Sequence, residues 1–183
     1  MEQNATIYHD LDRILVTKEE IDRKVKELGK KITADYAGKE PVLVCILKGA
    51  VIFFSDLIRE IDLPLTADFM AISSYGSATK TSGVVRVLKD LDKDILGKDV
   101  IIVEDIVDTG RTLSYLLEML KGRKPASIAL CTLLDKPERR THEVKVDYTG
   151  FQVPDKFVVG YGLDYAQKYR NLPYIGVVET EGE

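Results

Sequence analysis

Hydrophobic and polar positions alternate along this chain in two ways, and each predicts a different kind of element. Apolar residues recur at helical spacing after Thr17, in a segment that opens with the capping-box sequence TKEE at 17–20 and runs to Gly38. Short continuous apolar runs at 41–47 and 99–103 are instead typical of strands buried on both faces of a parallel sheet. The pattern therefore predicts an amphipathic helix of about five turns that precedes a sheet-forming region.

Strand and helix signals alternate along the rest of the chain, after a start that we expect to be irregular. The predicted strands cover 41–47, 65–72, 84–88, 99–103, 127–133 and 157–159, and the predicted helices after the first cover 50–58 and 112–120. This alternation predicts an α/β fold with a mostly parallel central sheet flanked by helices, and places ligands beyond the carboxyl ends of the strands. The length of 183 residues predicts a single domain over 1–183.

One segment departs from both patterns. Residues 73–83 (SSYGSATKTSG) are small and polar and contain almost no aliphatic side chain that could anchor them to a core. We therefore expect a mobile loop there, and long loops in compact domains often act as lids.

Charge and cysteine content narrow the class of protein. The net charge of -4 disfavours a general nucleic-acid or anionic-membrane binder. Cys45 and Cys131 lie in apolar runs, which predicts buried free thiols and a reducing compartment. The first residues lack the pattern of a signal peptide, and no window approaches a membrane span. We therefore expect a cytoplasmic protein that does not bind nucleic acid or membranes.

The most informative segment is 100–112, VIIVEDIVDTGRT. An apolar strand delivers Glu104 and Asp105 to its carboxyl end, and the residues from Asp108 to Thr112 turn into the next helix. The unpaired N–H groups and the dipole of a helix N-terminus favour a phosphate at such a turn. Gly110 permits close approach of the backbone to that phosphate.

Three acidic residues crowd the same strand end. Carboxylates beside a phosphate can bind ribose hydroxyls, hold a magnesium ion or move a proton. Taken alone, Asp108 or Thr109 would be expected to cap the helix, with Glu104 and Asp105 solvated, but the joint pattern favours a site. A Walker-type phosphate loop is excluded, because the sequence has no glycine-rich run ending in Gly-Lys-Ser/Thr.

Segment 100–112 resembles the phosphoribosyl pyrophosphate signature of the type I phosphoribosyltransferases, and further matches at 48–49 and 154–165 are similar to the hypoxanthine-guanine members of that family. The resemblance implies the type I phosphoribosyltransferase fold with a small hood. It also implies a Mg²⁺-dependent pentosyltransferase of purine salvage, which transfers the phosphoribosyl group from phosphoribosyl pyrophosphate to N9 of hypoxanthine or guanine. The products would be IMP or GMP and pyrophosphate. A homodimer or homotetramer is implied as well.

The resemblance also implies a role for each matching residue. Residues of the phosphate loop 104–112 would hold the ribose and its 5′-phosphate: Glu104, Asp105, Asp108, Thr109, Gly110, Arg111 and Thr112. Asp108 would also be the catalytic general acid/base at purine N7. The pyrophosphate would contact Lys48, Gly49, Ser74, Tyr75 and Arg170, and the Lys48–Gly49 peptide can be cis in the family. The base would contact Lys136, Phe157, Val158 and Asp164, in a pocket and hood at about 136–165. Magnesium ions would be held by Glu104, Asp105 and Asp164.

The chemistry of the residue types fits a 6-oxopurine pocket. Phe157 offers a ring face to a heteroaromatic base, and the Val158 backbone can read a purine edge. Lys136 can donate to an exocyclic O6 and so select against the amino group of adenine. These residues do not separate hypoxanthine, guanine and xanthine, so a xanthine-preferring enzyme stays open.

A second alternative belongs to another class of protein. It is a regulatory protein of the same fold that senses a nucleotide and binds RNA or DNA, with weak or no catalysis. The residues Lys48, Asp108 and Arg170 and the acidic net charge disfavour it.

Overall fold

A computed structural model describes residues 11–74 and 85–178, apart from the side chains of two strand residues. Its strands are β1 (Leu11–Val16), β2 (Val42–Leu47), β3 (Thr66–Ser74), β4 (Val85–Lys89), β5 (Asp99–Val107), β6 (Ser127–Asp135), β7 (Tyr148–Gln152), β8 (Val158–Val159) and β9 (Ile175–Val178). Its α-helices are α1 (Lys18–Asp35), α2 (Val51–Arg59) and α3 (Arg111–Lys121), and a 3-10 turn covers Pro137–Arg139.

The larger sheet has six strands in the order β4-β3-β2-β5-β6-β7. Each neighbouring pair from β3 to β7 is parallel, and β4 alone runs antiparallel, against β3. Because crossover helices cover both faces of a parallel sheet, its central strands are mostly apolar, and the acidic residues Glu104, Asp105 and Asp135 lie toward their carboxyl ends. The prediction of an α/β fold with a mostly parallel central sheet is confirmed.

Side chains of β2 alternate between two cores, one on each face of this sheet. Leu43 and Cys45 belong to the core that contains the apolar faces of α1 and α2. Val44 and Ile46 belong to the core that contains the apolar face of α3. This period of two fixes the orientation of each strand, and it gives the residues at the strand ends a rigid base.

Helix α1 begins as predicted. Thr17 Oγ1 accepts a hydrogen bond from Glu20 N at 3.3 Å, and Glu20 Oε2 accepts one from Thr17 N at 2.8 Å. The capping box is therefore confirmed. The helix ends at Asp35, three residues before Gly38, because Gly38 adopts a positive φ of 77° that ends the helical path.

A second sheet of three antiparallel strands, in the order β1-β9-β8, lies beside the larger one. We call β1 together with residues 153–178 the hood. Val16, Val158 and Val177 of this sheet join the core on the side of α1 and α2. The prediction of an irregular start was therefore wrong for residues 11–16, because β1 is ordered by pairing with β9 far along the chain, and residues 1–10 lie outside the described part.

Two further strands were missed, and one predicted segment changes its boundary. β7 and β9 escaped prediction because their pairing, rather than a local pattern, makes them strands. β3 continues through Ser73 and Ser74, which pair with β4, so the predicted lid cannot begin at residue 73. The remainder of that prediction, from Tyr75 to Gly83, lies outside the described residues.

The two cysteines occupy β2 and β6. Cys45 and Cys131 are both free and buried, which confirms the prediction of buried thiols. Burial raises the pKa of the Cys45 thiol to about 12, and the nearby Glu104 and Asp105 carboxylates add to the shift. None of the helices in the described part of the chain is long and apolar enough to cross a membrane.

Candidate active site

A cavity of about 280 Å³ opens at the carboxyl ends of β2 and β5. Its lining includes Leu47 and Gly49 after β2, Glu104 and Asp105 on β5, and residues 108–112 of the loop that enters α3. We call residues 47–49 and 104–112 the floor of the site. Parallel strands bring these two segments together although they are more than 50 residues apart, as expected for ligand sites in α/β sheets.

The loop before α3 is built around Gly110. Its φ of 79° is left-handed, and a Cβ placed there would lie 2.6 Å from the His142 carbonyl oxygen. The Thr109 carbonyl accepts hydrogen bonds from the N–H groups of Thr141 and His142, at 3.0 and 3.1 Å. The segment after the 3-10 turn thus holds the loop from outside. Arg111 N donates to Thr109 Oγ1 at 3.4 Å, and the N-terminus of α3 lies at the cavity, where the N–H groups that follow can serve as anion donors.

Glu104 and Asp105 form a crowded pair of carboxyl groups. Asp105 N donates to Glu104 Oε1 at 3.2 Å, and Ile106 N donates to Asp105 Oδ1 at 2.8 Å. Desolvation raises the pKa of Glu104 well above its usual range, and the negative charge of Asp105 raises it further. Desolvation also raises the pKa of Asp105. A Cβ on Gly49 would lie 1.6 Å from Asp105 Oδ2, so only glycine fits beside this carboxylate.

Asp108 lies one residue beyond β5 and faces a cation. Arg139 Nε is 2.7 Å from Asp108 Oδ1. The two atoms do not meet with hydrogen-bond geometry, and Asp108 Oδ1 has no hydrogen-bond partner within the described residues. Arg139 Nη1 reaches across to the hood, where it donates to both Asp155 oxygens at 3.0 and 3.1 Å.

Lys136 lies directly after β6 and is 7% exposed. Its Nζ donates to the Lys156 carbonyl at 2.7 Å and lies 3.7 Å from Asp155 Oδ1. The ring of Phe157 is 43% exposed and packs edge-on against Tyr165, with centroids 5.5 Å apart. Phe157 is therefore not a core aromatic, although the next residue, Val158, is buried in β8. The strand predicted to begin at 157 begins one residue later.

Asp164 and Arg170 form an ion pair in the hood loop that follows β8. Arg170 Nη2 lies 2.8 Å from Asp164 Oδ1, and Arg170 Nη1 donates to the Gly162 carbonyl at 2.7 Å. Gly162 in turn packs on the floor, because a Cβ there would lie 2.0 Å from the Gly49 carbonyl oxygen. The structure therefore brings the hood loop against the segment that follows β2.

The cis peptide in that segment differs from the expectation. The cis bond joins Leu47 to Lys48, one residue before the Lys48–Gly49 bond. The bond thus follows directly from the last residue of β2, and the Lys48 side chain is exposed. Ser74 is the last residue of β3. Its side chain and the whole of Tyr75 lie outside the described residues, and so do their predicted contacts with pyrophosphate.

The acidic pair on β5 fits a divalent cation such as Mg²⁺. Both side chains offer hard oxygen donors, and their mutual repulsion would be relieved by a cation between them. Within residues 11–74 and 85–178, no group of three metal-ligating side chains occurs. Mg²⁺ commonly uses only one or two carboxylates together with substrate phosphates, so the pair suffices. Asp164 would have to share its carboxylate with Arg170.

Two residues of this site were not identified from the sequence, Arg139 and Asp155. The doublet Arg139-Arg140 beside Lys136 was a signal, but it did not tell which arginine contacts Asp108. Arg140 pairs with the buried Asp135 and lies behind Gly110, where a Cβ would be 3.0 Å from Arg140 Cδ. Arg139 is therefore the one that joins the floor to the hood.

Comparison with known proteins identifies the family. Residues 14–166 match the phosphoribosyl transferase domain. The chain is 55% identical over 172 residues to the hypoxanthine-guanine phosphoribosyltransferase of Streptococcus thermophilus. This alignment covers 94% of the chain and 96% of that protein. It is 49% identical over 178 residues to the bifunctional protein TilS/HprT of Listeria monocytogenes, which covers 97% of this chain but only 28% of that longer protein.

The solved structures agree with the sequences. A crystal structure of hypoxanthine phosphoribosyltransferase from Staphylococcus aureus superposes with a TM-score of 0.92, at 50% identity and 97% coverage of both chains. The shared signature on β5 and the matching architecture lead to one conclusion. This chain belongs to the phosphoribosyltransferase family, in its hypoxanthine-guanine branch.

Proposed function

We propose that this chain transfers the 5-phosphoribosyl group from phosphoribosyl pyrophosphate to N9 of hypoxanthine or guanine, giving IMP or GMP and pyrophosphate. The observation that carries the proposal is the single cavity in which a helix N-terminus, a pair of acids and Asp108 meet. Lys136, a lysine buried beside Asp155, is linked to Asp108 through Asp155 and Arg139. The family and the relatives named above support the same reaction.

The phosphate loop accounts for one end of the substrate. The N–H groups at the start of α3 and the hydroxyls of Thr109 and Thr112 would bind the 5′-phosphate, with Arg111 beside them. Gly110 admits the phosphate close to the backbone. Glu104 and Asp105 would accept hydrogen bonds from the ribose hydroxyls, and their negative charge would stabilise the oxocarbenium character that develops at C1′.

The hood accounts for the base. Lys136 is a buried cation held by the Lys156 carbonyl, and it would donate to O6 of the purine. The exposed ring of Phe157 would stack on the base, and the Val158 backbone would read its edge. Asp164 is proposed at the same end of the pocket. Because hypoxanthine, guanine and xanthine all carry O6, this arrangement supports a 6-oxopurine and leaves xanthine as an alternative substrate.

The segment after β2 and the hood loop account for the leaving group. Lys48, Gly49 and Arg170 would bind pyrophosphate, since Gly162 packs the hood loop against Gly49. Contributions from Ser74 and Tyr75 stay a prediction. Glu104, Asp105 and Asp164 would hold Mg²⁺, which when bound would neutralise part of the charge on pyrophosphate.

Asp108 is proposed as the general acid/base. As N9 attacks C1′, the bond from C1′ to the pyrophosphate oxygen breaks, and the purine must lose the proton on N7. Asp108 lies at the junction of floor and hood with one oxygen free of hydrogen bonds, so it can accept that proton. It would return the proton to N7 in the reverse reaction.

Domain organisation, cellular location and oligomeric state are proposed on fewer observations. We propose that residues 1–183 act as one domain, and that the protein works in the cytoplasm, where its buried free thiols would stay reduced. A homodimer or homotetramer stays a prediction.

The test is an ultraviolet assay of purified protein with phosphoribosyl pyrophosphate and Mg²⁺, in which hypoxanthine, guanine, xanthine and adenine are offered separately. We expect turnover of hypoxanthine and guanine, none of adenine, and loss of activity with a chelator. Turnover of xanthine above the other bases would favour the alternative substrate. No turnover of any base would refute the proposed function.

A further inference from the structure

Arg139 occupies a position between two carboxylates that belong to different parts of the site. Its Nε lies 2.7 Å from Asp108 Oδ1 on the floor side, and its Nη1 donates to both oxygens of Asp155 in the hood. Asp155 Oδ1 also lies 3.7 Å from Lys136 Nζ. Four side chains of alternating charge therefore connect the proposed acid/base group to the lysine proposed to read O6.

The two contacts of Arg139 are unequal in kind. Arg139 Nη1 makes two hydrogen bonds to Asp155, whereas the 2.7 Å contact of Arg139 Nε with Asp108 Oδ1 is poorly aligned for a hydrogen bond. Both bonds to Asp155 come from the same nitrogen, and an aligned charge-assisted hydrogen bond is stronger and more directional than an unaligned contact between the same charges. Asp155 can therefore keep Arg139 when Asp108 releases it, and the reverse is less favourable.

The contact with Arg139 also covers Oδ1 of Asp108, the oxygen proposed to accept the N7 proton. Asp108 Oδ1 must meet the N7 proton of the base, and a nitrogen atom 2.7 Å away occupies that approach. The side chains of Arg139, Asp108 and Asp155 are 44, 44 and 48% exposed, so water can replace a broken contact and the guanidinium can shift at low cost.

We propose that Arg139 is a positioning residue that covers Asp108 until the base binds and then withdraws onto Asp155. The proposal rests on the proposed function. Binding of O6 to Lys136 draws that ammonium group away from Asp155. Asp155 then has one cation partner instead of two, so it holds Arg139 more strongly and uncovers Asp108 for the N7 proton.

Arg140 shows that this is not a general property of the arginines at this turn. Arg140 pairs with buried Asp135 and packs behind Gly110, so it is fixed in the wall. Its neighbour Arg139 is half-exposed and reaches two partners. The 3-10 turn Pro137–Arg139 directs these consecutive side chains to different places.

The proposal predicts an unusual result, namely rescue of one substitution by a second. Asp155→Asn removes the negative partner onto which Arg139 withdraws, so Arg139 stays on Asp108. We expect kcat/KM for hypoxanthine to fall by about 2- to 5-fold, a change typical of a partly exposed ion pair. Arg139→Gln removes the cover, so the double variant Arg139→Gln/Asp155→Asn should recover most of that loss. The KM for phosphoribosyl pyrophosphate should change little in all three variants.

A matched ion pair outside the site supplies the control. Arg123 Nη2 lies 2.8 Å from Asp90 Oδ2, and neither residue lines the cavity. The same cycle with Arg123→Gln and Asp90→Asn should show no coupling in kcat/KM. Thermal unfolding of every variant checks that each one is folded. The Asp155→Asn defect should also shrink at high salt, because screening weakens the hold of Arg139 on Asp108.

The outcomes separate this inference from the proposed function. Failure of the wild-type protein to form IMP refutes the proposed reaction itself. If the wild type is active, an Asp155→Asn variant with full kcat/KM overturns the role of Arg139. A double variant as slow as Asp155→Asn overturns it too, because a purely structural loss at Asp155 cannot be restored by removing Arg139.

Discussion

The acidic pair Glu104 and Asp105 on the floor and the carboxylates of the hood are in opposite electrostatic states. On the floor, Glu104 and Asp105 face each other, and among the described residues neither forms an ion pair. In the hood, Asp155 is bound by Arg139 and Asp164 is bound by Arg170. Both regions border the same proposed substrate, yet the pair Glu104 and Asp105 has no cation partner among the described residues, whereas the hood carboxylates already have theirs.

This difference indicates what each region requires from a ligand. The floor is under repulsive strain that a bound cation would relieve, so its free energy improves when a divalent metal arrives. The hood is already neutralised, so a ligand there has to exchange one set of ion pairs for another. The acidic pair on the floor therefore gains a cation when a ligand binds, whereas the acidic residues of the hood exchange one cation partner for another.

The largest expected effect is at Asp108, the floor carboxylate that a hood-facing cation contacts. Asp108→Asn keeps the size of the side chain but removes the proton acceptor, so kcat should fall by about 10²- to 10⁴-fold. The affinity for phosphoribosyl pyrophosphate should change far less. Steady-state kinetics of IMP formation and direct binding measure the two quantities. Asp94→Asn, at an exposed turn, is the control, and unchanged turnover of Asp108→Asn would refute its role.

The next effect tests whether floor and hood are mechanically joined. Gly162→Ala would place a Cβ 2.0 Å from the Gly49 carbonyl oxygen at a φ of 103°. Gly38→Ala also has a positive φ, of 77°, but its Cβ would meet nothing within 4 Å. Overpacking typically costs about 1 to 3 kcal/mol, so Gly162→Ala should lose that much more stability than Gly38→Ala.

Thermal unfolding of the two alanine variants measures this difference. In a chain of this size about 1 kcal/mol corresponds to a change in Tm of about 2 to 4 °C. Equal Tm values would show that the hood loop can move off Gly49 without cost.

The third prediction concerns binding of the base and tests the region around the hood, where the carboxylates are already paired with cations. Lys136→Met keeps the length of the side chain and removes its charge. A hydrogen bond from a charged group contributes about 1.5 to 3 kcal/mol, so KM for hypoxanthine should rise about 10- to 100-fold. Kinetics with hypoxanthine and adenine would measure both the loss and the relaxed selectivity. Lys145→Met, at a lysine 87% exposed, is the control, and an unchanged KM in Lys136→Met would remove Lys136 from the base site.

The smallest expected effect is a gain of stability when Glu104, which faces Asp105 without a cation partner, is replaced by a neutral residue. Burial and Asp105 raise the pKa of Glu104 in the folded state above its value of about 4.5 in the unfolded chain. The folded protein therefore binds the proton more tightly, and its stability falls as pH rises from about 4.5 through the raised pKa. Glu104→Gln should abolish this loss and stabilise the metal-free protein near neutral pH by about 0.5 to 2 kcal/mol.

Urea unfolding between pH 4.5 and 8 in the presence of a chelator measures that gain. Exposed Glu118→Gln is the control and should follow the wild-type profile. A wild-type stability that does not decrease with pH relative to Glu104→Gln would show that the pair is not strained.

The local sequence pattern was enough to predict an element where one short segment contains all the residues that determine it. The capping box of α1 and the strand–turn–helix unit from β5 to α3 were predicted because their determinants lie within a few residues. β1 and β9 were missed because they pair with each other from opposite ends of the described chain. Arg139 was missed for the same reason, since its partners lie 31 and 16 residues away and only the turn at 137–139 sets its direction.

The placement of Cys45 and Cys131 in the two central strands on either side of β5 makes them chemical reporters of opening. Burial raises the pKa of both thiols, so almost no thiolate exists in the closed protein at neutral pH. A thiol reagent should therefore modify them only through molecules in which the sheet has come apart. Labelling rates in native buffer would then report how often that happens, without denaturant and without an added probe.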